Sequence, residues 1–163
     1  MKKPTDFNAF QPAKTPIDPL TELLREGAKK MLQAAINEEV EDYLSQFIDR
    51  RDADGKRLVV RNGLAPKRSI QTGLGSIEVQ RPRINDRRLD DDGNRIRFNS
   101  KVLPPYLRRT KSVEDLIPWL YLKGVSTGDF SEALGCLLGQ NAPGLSSTTI
   151  VRLKQVWEDD FKD

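Results

Sequence analysis

The sequence predicts an α+β chain, mainly helical. A long N-terminal helix, a small basic β-hairpin unit and a C-terminal three-helix bundle of helix-turn-helix type follow one another. Three observations carry this. Apolar residues recur at helical spacing from Leu20 to Ile48. The spacing changes to alternation on both sides of Gly73-Leu74-Gly75. The last third carries repeated helix start and stop signals. These divide the chain into an arm (1–17), a long amphipathic helix (18–49), a basic β-hairpin region and linker (50–111) and a helical domain (112–163).

Residues 1–17 hold Pro4, Pro12 and Pro16 with little apolar periodicity, so they are expected to be a flexible arm. Asp18-Pro19 then reads as an N-cap followed by proline at the first helical position. The apolar stripe behind it, Leu20, Leu23, Leu24, Ala28, Met31, Leu32, Ile36, Val40, Tyr43, Leu44, Phe47 and Ile48, spans about eight turns. Such a stripe must be buried, against its own domain or against a second chain. Gly27 and the lack of clean heptads favour its own domain.

In the middle, Arg57-Leu58-Val59-Val60-Arg61 is expected as a short strand ended by an Asn62-Gly63 turn. Lys67–Thr72 and Ser76–Arg81 alternate around a three-residue glycine turn and form a hairpin. Ile70, Ile77 and Val79 lie on one face, and Lys67, Arg68 and Arg81 at the open end. An isolated hairpin is marginal in water, so this one must lean on a helix or on a target. Residues 85–97 read as a disordered edge. Within them, Asp90-Asp91-Asp92-Gly93-Asn94 lacks the spacing of a calcium loop and reads as a polar turn. Pro104-Pro105 leads into a second basic cluster, Arg108-Arg109-Thr110-Lys111.

The final third opens on a capping box, Ser112-Val113-Glu114-Asp115. That helix carries Leu116, Ile117, Leu120 and Leu122 and stops at Gly124; Pro118 implies a kink or a later start. Ser126–Asp129 is a second capping box, for a helix with Phe130, Leu134, Leu137 and Leu138 and a Gly139 stop. Ser146 is expected to cap a third helix. Ile150, Leu153 and Trp157 form its apolar face, opposite Ser147, Thr148, Val151, Arg152 and Gln155.

Composition narrows the function. The 163 residues contain no His and one Cys, Cys136. That excludes an imidazole base, a Ser-His-Asp or Cys-His nucleophile, a Cys/His zinc site and an internal disulfide. An intracellular setting is expected. No apolar run approaches the roughly 20 residues that cross a bilayer, and Met1–Asp6 has no apolar segment behind its charges, so no secretory signal is expected.

The net charge of +3 hides a partition. Residues 1–49 carry 6 basic and 9 acidic side chains, residues 50–111 carry 17 and 7, and residues 112–163 carry 4 and 8. A basic block between acidic ends is either a phosphate-facing surface or a solvated Arg-rich region. The three terminal helices suit a helix-turn-helix whose third member reads bases with its N-terminal residues. Arg152 would take a guanine edge or a phosphate. A plain helical bundle stays open, because the turn is long and Glu158, Asp159, Asp160 and Asp163 crowd the far end of the third helix. The candidate DNA-binding residues are Arg61, Lys67, Arg68, Arg81, Arg83, Arg108, Arg109, Lys111, Ser147, Thr148, Arg152 and Gln155.

An ordered set of phrases goes further: Val60–Gly63, Ile77-Glu78-Val79-Gln80-Arg81-Pro82-Arg83, Val102-Leu103-Pro104-Pro105-Tyr106, Leu120–Phe130, Gly144–Ile150 and Trp157. The set resembles the N-terminal half of Mutator-type transposases of bacterial insertion sequences, from about residue 20 onward. Lys123-Gly124-Val125-Ser126-Thr127-Gly128-Asp129-Phe130 is its most specific part.

The resemblance implies binding to the terminal inverted repeats of a mobile element as double-stranded DNA. It also implies a following RNase H-like domain, in which an Asp-Asp-Glu triad and two divalent metal ions, magnesium, cut and join strands. The chain is expected to stop where that domain begins, so no catalytic residue, metal or cofactor is assigned to it. It is expected to be inactive alone and to work in the bacterial cytoplasm, at the nucleoid. Its partners would be DNA and further copies of itself or of intact transposase. The alternatives are an interaction fragment that inhibits intact transposase, or a remnant without selected function.

Overall fold

Asp18 fixes the first boundary in the computed structural model, which describes residues 18–125, 129–138 and 147–160. The expected arm lies outside them. The Asp18 carboxylate accepts the amides of Leu20 (2.9 Å) and Thr21 (3.2 Å) and the Thr21 hydroxyl. The hydroxyl bond, then the Leu20 amide, holds the carboxyl below its ordinary pKa. Pro19 opens helix α1 (Pro19–Ser45), which ends three residues short of the expected Ile48. Ile36 and Val40 are its buried residues.

The β region is two antiparallel pairs rather than one hairpin. Strands β2 (Arg68–Thr72) and β3 (Gly75–Val79) pair around a two-residue turn, Gly73-Leu74, one residue tighter than expected. Gly75 has φ +98°, and a Cβ there would stand 2.8 Å from Arg25 Nη2. Arg25 needs that space to donate from Nε to the Leu74 carbonyl, at 2.9 Å. Gln33 secures the next point: its amide donates to the Gln80 carbonyl (2.8 Å) and accepts the Gln80 amide (3.0 Å). Below these contacts Ile36, Ile70, Ile77, Val79 and Leu103 form one core.

Strands β1 (Val59–Leu64) and β4 (Pro82–Asp86) form the second pair and correct two expectations. Asn62-Gly63 is not a hairpin turn. β1 runs through it, with Gly63 at φ +69° and the register slipping between Arg61 and Leu64. Residues 85–97 are also not a disordered edge. Asp86, with its side chain 1% exposed, accepts from Tyr43 Oη (2.7 Å) and from Arg88 Nη2 (2.6 Å). The Arg88 guanidinium lies 3.5 Å from the centre of the Phe47 ring. Burial pushes the Asp86 carboxyl up in pKa, but the bonds from Arg88 and Tyr43 outweigh it and leave the group below its ordinary value. The segment beyond is a turn in which Asp90 Oδ1 accepts the amides of Asp92 (3.1 Å) and Asn94 (2.8 Å). Asp52 makes the same turn with Asp54 and Lys56.

Glu39 of α1 then accepts the Ser100 hydroxyl and the amides of Lys101 and Val102, which seats Leu103 in the core. Helix α2 (Lys111–Leu122) is capped by Thr110, without a side-chain bond, rather than by Ser112. Asp115, the acid of the expected capping box, pairs with Lys111 at 3.6 Å instead, and Glu114 pairs with Arg109 at 2.9 Å. α2 continues past Pro118. It stops at Gly124, φ +87°, where the amides of Gly124 and Val125 bond the carbonyls of Tyr121 (2.9 Å) and Leu120 (3.2 Å).

Helices α3 (Phe130–Leu138) and α4 (Ser147–Asp160) follow. The expected signals at Ser126–Gly128, Gly139 and Ser146 lie outside the described residues. Val113, Ile117, Leu120, Leu134, Leu138 and Ile150 form a second core. Gln71, fully buried, joins the two units: its backbone N–H donates to the Arg108 carbonyl (2.8 Å) and its backbone carbonyl accepts the Thr110 backbone N–H (2.9 Å). The described residues thus combine four helices with small antiparallel sheets. None of the described helices is long and apolar enough to cross a membrane.

Candidate nucleic-acid interface

The basic residues fall into three environments. Arg61, Lys67 and Lys111 are exposed and paired with Glu41 (3.2 Å), Glu78 (2.9 Å) and Asp115 (3.6 Å). Exposed pairs are worth at most about 1 kcal/mol and are screened by salt. A phosphate can therefore displace such a carboxylate at little cost.

Arg109 differs. Only 7% exposed and held on Glu114, it stands at the junction of β2 and α2 rather than in an open basic cluster. Arg88, the cation nearest Asp86, is likewise engaged internally.

The third environment is the open one. Arg68 is half-buried and donates to the carbonyls of Pro104 (3.2 Å) and Leu107 (2.6 Å). Its pKa is lowered, first by burial and then by the nearby charges of Arg81 and Arg108. Among the described residues, none of Arg81, Arg83, Arg108 and Arg152 has a carboxylate within ion-pair distance.

Helix α4 presents the other candidates. Ile150 is buried, and Leu153 packs against the second core. Ser147 is the first residue of the helix. Thr148, Arg152, Gln155 and Asp159 are all exposed and recur at three- and four-residue spacing, so they form one outward stripe. Gln155 donates to Asp159 at 3.2 Å. The stripe therefore turns from hydroxyl and cation at its N-terminal end to carboxylate at its C-terminal end. Glu158 is on another face, paired with Lys154 at 3.4 Å.

A cleft of about 600 Å³ separates the start of α4 from the 104–109 segment. Thr149 and Arg152 line one side, and Pro104, Pro105, Tyr106 and Arg108 the other. It brings Arg152 of the helical unit together with Arg108 of the basic block. Tyr106, at its rim, is 93% exposed with φ +66°, and sequence reasoning passed over it. Its one sequence signal is an aromatic directly after Pro104-Pro105. Among the described residues no three His, Cys, Asp or Glu side chains converge on a metal-sized site.

The family described as "Transposase, Mutator family" matches residues 3–162. The transposase for insertion sequence element IS1201 of Lactobacillus helveticus is 30% identical over 126 residues, which are 76% of this chain and 31% of that protein. The transposase for insertion sequence element IS6120 of Mycolicibacterium smegmatis is 46% identical over 50 residues, 31% of this chain and 15% of that protein. The chain thus spans under a third of the length of these relatives. Since the family match takes in nearly every residue, the chain belongs to the Mutator family of transposases, those of insertion sequences.

Proposed function

We propose that this chain is the part of its transposase that recognises the ends of the mobile element, as double-stranded DNA at the terminal inverted repeats. One observation carries the reading: Arg108 of the basic block and Arg152 of α4, neither with a carboxylate within ion-pair distance among the described residues, line the same cleft. Guanidiniums without a counter-charge make the cleft electropositive, and a phosphate backbone that enters it releases its own counterions.

In this reading α3 and α4 act as a helix-turn-helix. The N-terminal end of α4 approaches the base edges through Ser147, Thr148 and Arg152, with Gln155 behind them. Arg61, Lys67, Arg83 and Lys111 hold the backbone, and Arg109 keeps the junction in place. Strand cutting and joining, with its magnesium ions, is left to carboxylates outside these 163 residues. The site of action is the cytoplasm, at the nucleoid.

Selection of bound sequences from a random duplex library tests this. One enriched motif is expected, matching inverted repeats that flank the coding sequence. A library that stays flat overturns the reading. Arg152→Ala should then cost about 1–3 kcal/mol and relax the motif at one position. Arg108→Ala should weaken all duplexes alike and lower the salt slope by about one.

A second reading has one observation in its favour. Leu20, Leu23, Leu24 and Met31 of α1 are 49–75% exposed, an apolar stripe that the described fold leaves open. A second copy, or intact transposase, would cover it, and the chain would then act as an assembly or inhibitory module. Light scattering that gives a strict monomer, alone and mixed with intact transposase, removes this reading.

A further inference from the structure

Tyr106 occupies the third position of the turn Pro104-Pro105-Tyr106-Leu107, closed by the Leu107 amide on the Pro104 carbonyl at 3.4 Å. Its φ of +66° lies in the left-handed region. Turns of this kind place Gly or Asn there, because a side chain at positive φ is strained. An aromatic is a poor choice for the backbone, and this one gains no burial in return, since the ring is 93% exposed.

The surroundings nevertheless fix the conformation from both sides. Pro105 sets the preceding dihedral, and Arg68 holds the carbonyls of Pro104 and Leu107 together. A strained, over-determined backbone that projects a large ring into solvent marks a binding contact rather than a packing one. Beside it is the cleft of about 600 Å³ that Arg108 and Arg152 both line.

We propose that Tyr106 is a stacking platform for a single base lifted out of the duplex, with Arg108 and Arg152 holding the phosphates that flank it. The inference rests on the DNA-binding reading and adds to it a site for an unstacked nucleotide. A tyrosine face stacks on any base, so the contact is tolerant of sequence, while the neighbouring stripe on α4 supplies the reading.

The test uses the whole chain and two labelled duplexes, one fully paired and one with a single bulged nucleotide. Wild type should prefer the bulged duplex by about tenfold. Tyr106→Phe should keep the preference. Tyr106→Gly should abolish it, so that this variant binds the two duplexes alike. Gly relieves the positive φ, so the thermal midpoint of Tyr106→Gly should equal or exceed that of wild type, which separates lost stacking from lost fold. Equal binding of the two duplexes by wild type, or an unchanged preference in Tyr106→Gly, overturns the platform and leaves the DNA-binding reading standing. Failure of wild type to bind either duplex at low salt overturns both.

Discussion

The unit built on α1 and the unit built from α2, α3 and α4 are held together by different forces. Under α1, a five-residue apolar core is surrounded by long-range polar ties: Arg25 to Leu74, Gln33 to Gln80, Glu39 to the 100–102 segment, and Tyr43 to Asp86 and Arg88. The terminal helices instead share a six-residue apolar core, and each helix offers one stripe to it. The difference concerns the use of charge. In the first unit several arginines complete the fold, so a high count of basic residues overstates the surface left for a ligand. In the second, cations are few, and Arg152 lies on the outward stripe of α4, away from the core. The proposed DNA-binding reading would draw on both: spare guanidiniums from one, a clean helix face from the other.

The largest effect should come from breaking the first unit at Asp86. Asp86→Ala leaves the Arg88 guanidinium without its carboxylate and Tyr43 without its acceptor, in a site where the Asp86 side chain is 1% exposed. Removing one partner of a buried pair costs about 3–5 kcal/mol. Amide exchange should accelerate in β1 and β4 first, while α2 keeps its protection. Simultaneous loss in both units would show that they unfold as one.

Ile117→Ala attacks the other core. Ile117 is 1% exposed, and deleting its methyls should cost about 2–4 kcal/mol. The near-ultraviolet signal of Trp119 should fall before β2 and β3 lose exchange protection.

Acid should separate the units too. The folded-state pKa of Asp86 is lowered, so its contribution to stability is complete above the ordinary value of 3.8 and is lost as pH falls through the depressed value. Stability should therefore decline below about pH 4, with β1 and β4 opening first. Asp86→Asn should lack this step. A decline that persists unchanged in that variant would assign it to other carboxylates.

How much of this was legible in the sequence follows the same division. Local signals were readable. Asp18-Pro19 starts α1 where expected, and Ile150 and Leu153 face inward on α4 while Thr148, Arg152 and Gln155 face out. Features fixed by distant partners were not. β4 carries Pro82, Asn85 and Asp86, poor strand formers, and it exists because Tyr43, more than forty residues away, and Arg88 fix its last residue. Arg109 sits between Arg108 and Lys111 in a cluster that looks uniformly exposed, yet Glu114 draws it inward. The strain at Tyr106 depends on Arg68, 38 residues earlier, gripping the turn. No window of local sequence holds both halves of such a contact.

Gly75→Ala sharpens the account of the first unit. A methyl there meets φ +98° and comes within 2.8 Å of Arg25 Nη2, the end of a flexible side chain. Arg25 can swing aside, so the cost should be the backbone strain plus one lost bond to Leu74, about 1–2 kcal/mol. Urea midpoints of Gly75→Ala, Arg25→Ala and the double variant measure the coupling. Strict additivity would mean the close approach carries no energy.

The smallest effect expected is the most direct probe of the outward stripe. Asp159 ends the row Thr148, Arg152, Gln155 and accepts from Gln155 at 3.2 Å. If that face lies along a duplex, the carboxylate repels phosphate and also occupies the amide of Gln155. Asp159→Asn removes one unit of negative charge at an exposed helical position, so stability should change by less than about 0.5 kcal/mol. Affinity for duplex DNA should rise about two- to fivefold at low salt, and the gain should shrink as salt screens it. Glu158→Gln, one position away but on the face paired with Lys154, is the control and should change affinity less. Equal gains from the two variants would mean that α4 acts through net charge alone, and that the orientation of its stripe does not matter for binding.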